Sequence, residues 1–207
     1  MARISLIDEG DAPPDVRAVY AAARERGFAR FMNQLKVLAH RPPILRRLWD
    51  LYMGFAAESV VDRRLIELAV LAVSRASACQ YCIVHHTPLA LQFGLTREQL
   101  AALEAGNWCE SPAFSESERL VIAYAEQVER DPRQVSAELF RRLREVFSEA
   151  QVVELTVRIA LCSFFNRFNQ VLDLELEPGV LDEYLAVHPA PAEQRAERPG
   201  PTKQEGG

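Results

Sequence analysis

The sequence predicts an all-α fold, a helical bundle, from three observations. Apolar residues recur at three- and four-residue spacing through most of the chain, strand patterns are almost absent, and helix-start signals repeat along it. With 207 residues, 49% hydrophobic and 26% charged, the chain is long and apolar enough to bury a core without disulfide staples. One domain over residues 1–187 is expected. The remaining stretch, 188–207, is rich in Pro, Gly, Glu and Ala without apolar period, and is expected to be disordered.

The first helix is expected to open at Pro13-Pro14, since proline suits a first turn, and to stop at Gly27. A second runs through Phe31 to Leu38 and ends before Pro42-Pro43, and a third covers about Ile44 to Ala57. The stretch from Asp62 to Val73 is so rich in Leu, Ile, Val and Ala that it belongs at the centre of the core. Ser77 with Gln80 has capping-box spacing and predicts a new helix from Ala78 to about Phe93, ended by Gly94. Thr96 with Gln99, Ser115 with Glu118 and Ser148 with Gln151 repeat that signal, and Ser136 is expected to cap one more helix.

A net charge of -5 leaves no basic excess for neutralising phosphates, which argues against nucleic acid as a partner. No apolar run has the length of a signal peptide or a membrane span, so a cytoplasmic protein without a membrane partner is expected. Four cysteines, two of them in one motif, do not make the framework of a secreted scaffold. In a reducing compartment a close pair points to redox catalysis or metal binding.

That pair is Cys79-Gln80-Tyr81-Cys82, with His86 one turn further on. On a continuous helix the three reactive side chains fall within a sector of about 60°. Cys79, near the helix start, should be acidified by unpaired amides and the dipole. His86, at the spacing where helical neighbours meet, favours Cys82 instead. Glu67 can join them only if the chain folds back at Ser74 to Ser77, because twelve residues of helix rise about 18 Å. Glu154, Asn166, Asn169 and Asp173 echo the offsets of Glu67, Cys79, Cys82 and His86, which suggests an internal pseudo-repeat whose second copy lacks the thiols.

Glu67, the two cysteines and His86 match in type and spacing the motif of alkylhydroperoxidase D-like proteins within the carboxymuconolactone decarboxylase superfamily. The resemblance extends to Asn33-Gln34-Leu35-Lys36-Val37-Leu38-Ala39-His40-Arg41-Pro42 ahead of the motif. Behind it, Val153-Glu154-Leu155-Thr156 and Phe165-Asn166-Arg167-Phe168-Asn169 also match, so the resemblance covers roughly residues 30–176. It implies a helical bundle that assembles into trimers or hexamers and a thiol-dependent peroxidase acting on organic hydroperoxides. By the same resemblance Cys82 is the attacking thiol, Cys79 its disulfide-forming partner, and His86 and Glu67 the proton relay. The implied partners are a hydroperoxide and a thiol or disulfide reductant, with no cofactor and no metal. Tyr81 departs from the pattern, because the well-studied peroxidases carry histidine there, and a phenol is a poor proton shuttle near neutral pH.

Other readings of the same residues stand beside this one. A zinc site would take the thiol pair and His86, with Glu67 or another cysteine as fourth ligand, although three ligands on one stretch of helix suit a tetrahedral site badly. A non-enzymatic redox sensor or binding protein would use the same thiols. Lactone decarboxylation follows only from the superfamily's name. Cys109 and Cys162 read as packed thiols, His85 as a surface or interface residue, and His40 as a helix-end group bonded to free carbonyls. Asn166, Asn169 and Asp173 read as a buried polar network. Trp49, Tyr52 and Phe55 read as core or subunit-interface packing, which with Leu51 predicts a homo-oligomer.

Overall fold

The computed structural model describes residues 2–187, so the expectation for 188–207 lies outside the described residues. The chain forms α1 (Pro14–Glu25), α2 (Met32–Leu38), α3 (Pro42–Glu58), α4 (Arg63–Ala76), α5 (Gln80–Gln92), α6 (Arg97–Ala105), α7 (Glu116–Arg130), α8 (Ala137–Val146), α9 (Glu149–Leu172) and α10 (Val180–Val187). Short 3-10 turns precede α2 and α8. Pro42 and Pro43 sit in the first turn of α3 and do not merely precede it, since neither position needs a backbone donor there.

Three predicted capping boxes form with both reciprocal bonds, at Thr96/Gln99, Ser115/Glu118 and Ser148/Gln151, and Ser136 caps α8. Asp62 caps α4 by accepting the Arg64 N–H. Along α4, Leu68, Leu71 and Val73 are completely enclosed. This helix is the hub of the bundle and packs on α5, α7 and α9. Its apolar neighbours on α6, α7, α8 and α9 make one core, and α1, α2 and α3 close a second around Tyr20, Leu45 and Phe165. The site lies between the two.

Glu154, Asn166 and Asn169 stand on the single unbroken helix α9, whereas Glu67, Cys79, Cys82 and His86 span a break between two helices. Asp173 lies outside any buried network. It is exposed at the C-cap of α9, in the left-handed region (φ 52°). No helix among the described residues is long and apolar enough to cross a membrane.

Candidate active site

α4 and α5 bring together all four residues singled out by the motif. At the end of α4 the N–H groups of Ala78 and Cys79 bond back to the carbonyls of Arg75 and Ser74, at 3.0 and 2.9 Å, and Ala78 adopts φ 52°. This is a Schellman termination with alanine in the left-handed position. The chain reverses there, so α5 starts at Gln80 with Cys79 as its N-cap residue. Ser77 was expected to cap α5. It instead closes α4, its hydroxyl donating to the Val73 carbonyl at 3.0 Å, because the reversal consumes the two residues that follow. From α9, the Asn166 amide donates to the Ser77 hydroxyl and the Gln170 amide to the Ser77 carbonyl, both at 2.7 Å, which pins the break.

Across this turn the Cys79 and Cys82 sulfurs lie 3.1 Å apart as free thiols. Loss of one proton leaves a negative charge that the remaining S–H can bond, so the two titrate as a unit. The Cys82 thiol, opposed by burial and helped by the Cys82 amide, the Asn169 side chain and the Tyr81 amide, draws Cys79 down from the ordinary thiol value. Cys82 is pushed far up by its bond to Cys79, by burial and by the Cys79 charge. Cys79 is therefore the more acidic thiol, chiefly through its bond to Cys82 and only in smaller part through the amides at the start of α5.

Glu67 is 1% exposed, and its two oxygens serve two partners. Oε2 accepts the Nδ1 hydrogen of His86 at 2.8 Å, and Oε1 faces the Arg63 guanidinium at 2.7 Å. Burial pushes this carboxyl up, but His86 and Arg63 outweigh it and hold it below the usual carboxylate range. Holding the proton on Nδ1 leaves the other ring nitrogen of His86 free to take one.

A cavity of about 100 Å³ is lined by Cys82, His86 and Glu67, while Cys79 does not reach it. Aromatic and aliphatic groups make most of the remaining surface, among them Phe28, Phe31, Trp49, Tyr52 and Phe165. Trp49, Tyr52 and Phe55, read as interior or interface packing, are half-buried, and the first two line this cavity.

Two groups were not singled out as part of the site: Asn169, expected only in a buried polar network, and Glu177, which carried no sequence signal. Asn169 donates to the Cys82 sulfur at 3.2 Å, its own carbonyl being fixed by the Gln34 amide at 2.9 Å. Glu177, from the segment before α10, accepts the Tyr81 hydroxyl at 2.8 Å, the His85 Nε2 hydrogen at 2.6 Å and the Asn33 N–H at 2.8 Å. His85 is not a surface group. It is fully buried, stacked on Tyr81 with ring centroids 4.0 Å apart, and also bonds the Tyr81 carbonyl. The face of α5 that carries it is covered by the 174–187 segment, whose Leu174 and Leu176 pack on the cysteine cluster. Burial and the Glu177 charge push the Tyr81 phenol well up, so it stays protonated.

The remaining groups divide. Cys162 is buried and pushed up to about 12, chiefly by burial, whereas Cys109 is exposed and so is not the packed thiol expected. His40 bonds the Ser5 carbonyl at 2.8 Å, a loop group rather than a helix end. Among the described residues no three His, Cys, Asp or Glu side chains are placed to hold a metal ion.

A helical bundle with a cysteine pair and a His86–Glu67 pair set about one helix break defines the class, and the chain belongs to the carboxymuconolactone decarboxylase family, whose model matches residues 42–127. It is 30% identical over 116 residues to the uncharacterized protein YdfG of Bacillus subtilis (strain 168), a match covering 56% of this chain and 78% of that protein. It is 28% identical over 137 residues to the uncharacterized protein YnjA of Escherichia coli (strain K12), covering 65% and 74%. Among solved structures it resembles an uncharacterized peroxidase-related protein with an alkylhydroperoxidase AhpD core from Ralstonia eutropha JMP134, with TM-score 0.74, 20% identity, and 87% and 94% of the two chains covered. It also resembles the debrominase Bmp8, solved in complex with 2,3,4-tribromopyrrole, with TM-score 0.74, 22% identity, and 89% and 96% covered. These two likenesses establish the shared fold.

Proposed function

We propose that the chain is a thiol-dependent peroxidase in which Cys82 attacks an organic hydroperoxide and Cys79 resolves the product. One observation carries the reading: two free sulfurs 3.1 Å apart, only one of which, Cys82, reaches the cavity that also holds His86 and Glu67. As the Cys82 proton passes to His86, the sulfur attacks the terminal peroxide oxygen and the O–O bond breaks. The departing alkoxide takes a proton to give the alcohol, and Cys82 becomes a sulfenic acid. Cys79 then displaces water to form the disulfide, and an outside dithiol restores both thiols. Glu67 keeps His86 oriented and sustains its charge while it holds the proton. Tyr81, engaged with Glu177, takes no part in this transfer.

The likeness to a peroxidase-related protein of Ralstonia eutropha JMP134 supports this reading. The aromatic wall of the cavity, together with the debrominase relative, favours a second one, thiol-driven reduction of a halogenated aromatic compound. The same protein is read as one domain over 1–187 and as a homo-oligomer, since α3 buries only Leu45 completely and leaves Ile44 and Leu51 exposed; light scattering tests this.

The deciding experiment counts thiols and maps the disulfide after one equivalent of cumene hydroperoxide. Two thiols should disappear into a Cys79–Cys82 bond. Cys82→Ser should abolish peroxide consumption, and Cys79→Ser should react once and stop at a trappable sulfenic acid. Unchanged consumption in the double variant would sink the reading.

A further inference from the structure

Beyond the thiols, the cavity wall carries two guanidinium groups, Arg63 at the start of α4 and Arg158 on α9. Arg158 is only 8% exposed and lies 3.9 Å above the Phe55 ring. Its bonds from Nε and Nη2 both go to one oxygen of Glu154, at the long distances of 3.3 and 3.2 Å. That carboxylate is already occupied by the Ser59 hydroxyl and the Val60 N–H, each at 2.7 Å. Arg63 faces Glu67, a carboxylate that it shares with His86, and its Nε is buried without a hydrogen-bond partner among the described residues. Burial draws Arg158 below the usual guanidinium range, and the nearby Arg63 charge adds to the effect against the pull of Glu154. The nearly buried Arg158 and the partly exposed Arg63 therefore set two positive charges on a cavity whose wall holds one acidic side chain, Glu67.

Tyr52 completes the group. Its ring is held by Phe28 and Phe165, with centroids 5.9 and 5.8 Å away, and no hydrogen bond joins its hydroxyl to a described residue. Tyr52 lines the same cavity as Cys82, Arg158 and Arg63. Burial keeps the phenol protonated, so it can only be a donor to an oxygen placed there.

We propose that Arg63, Arg158 and Tyr52 form a carboxylate-binding subsite, and that the substrate is a compact aromatic molecule carrying one carboxylate, with its reducible group turned to Cys82. A planar carboxylate matches the guanidinium fork, offsets the two positive charges and supplies the acceptor that the Tyr52 hydroxyl lacks. The aromatic walls take the body of the molecule. Because Glu67 touches both Arg63 and His86, the acid group sits one carboxylate's width from the relay, which selects short substrates. The nature of the reducible group rests on the peroxidase reading; the subsite does not.

The test separates the two. In Cys82→Ser protein, calorimetry compares 4-isopropylbenzoate with 4-isopropylbenzamide, neither of which reacts with a thiol. The acid should bind on the order of tenfold tighter or better. That preference should vanish in Arg158→Gln and shrink in Tyr52→Phe, a change that breaks no bond in the free protein. Equal binding of acid and amide, or an acid preference that survives Tyr52→Phe and Arg158→Gln unchanged, overturns the proposal. Should Arg158→Gln fail to fold, the acid-to-amide ratio with and without the Tyr52 hydroxyl decides alone. In the reactive protein, cumene hydroperoxide is compared with its para-carboxylate. Turnover of both at equal kcat/KM keeps the peroxidase and removes the subsite, whereas acid-selective binding without any turnover keeps the subsite and removes the peroxidase.

Discussion

The side-chain amide of Asn169 donates to the Cys82 sulfur at 3.2 Å, and the two residues are 87 positions apart in sequence. Gln34 fixes the orientation of that amide, so its N–H group and not its oxygen meets the thiol. A hydrogen bond to a charged sulfur favours the thiolate. In Asn169→Ala the pH midpoint for alkylation of the cysteine pair should rise by about one unit, the equivalent of one charge-assisted bond. An unchanged midpoint would make Asn169 a packing residue only.

Glu67→Gln removes the charge beside His86 and should slow the first turnover about a hundredfold near neutral pH. Its stability effect has a defined sign. The folded carboxyl titrates below its ordinary value, so its stabilisation is fully present above that value and is lost as the pH falls through the folded pKa. Denaturation curves of the wild type and the variant should therefore differ at pH 7 and converge in acid.

Glu177 accepts from three buried or half-buried donors at once. Replacing it by leucine strands the Tyr81 hydroxyl, the His85 ring and the Asn33 N–H, and should cost about 2–4 kcal/mol in urea denaturation. Glu177→Gln, which keeps an acceptor, should cost less. A loss under about 1 kcal/mol for the leucine variant would show that the segment before α10 is held by its apolar contacts instead.

Ala78 occupies left-handed backbone at φ 52°, where a side chain meets the following carbonyl. Ala78→Gly should raise stability by about 1 kcal/mol in thermal or chemical denaturation and leave the Cys79–Cys82 geometry unchanged. A destabilised variant would mean that the added freedom of glycine in the unfolded chain outweighs the strain.

The local parts of the structure were legible because their causes are local. Ser115 and Glu118 meet across one turn, as do Ser148 and Gln151, and such pairs are visible as three-residue spacings. The start of α5 was misplaced because nothing in the sequence marks Ala78 as left-handed; a glycine there would have done so. His85 was expected at a surface or interface, yet the face of α5 that carries it is buried by residues some 90 positions later. Gln34 with Asn169 and His85 with Glu177 are long-range contacts without any period, so only the folded chain brings them together.

The seating of Cys79 at the head of α5, outside the cavity, has a kinetic consequence in the proposed cycle. Oxidant and reductant must use the same doorway in turn, since Leu174 and Leu176 pack on the cysteine cluster and only Cys82 opens on the cavity. An incoming reductant thiolate therefore strikes the Cys82 half of the disulfide and expels Cys79. A thiol held at low pKa departs faster, and with Cys82 tied up in the mixed disulfide the amides of Tyr81 and Cys82 and the Asn169 side chain remain to favour the departing Cys79 thiolate, in a ping-pong enzyme whose two substrates compete for one entrance.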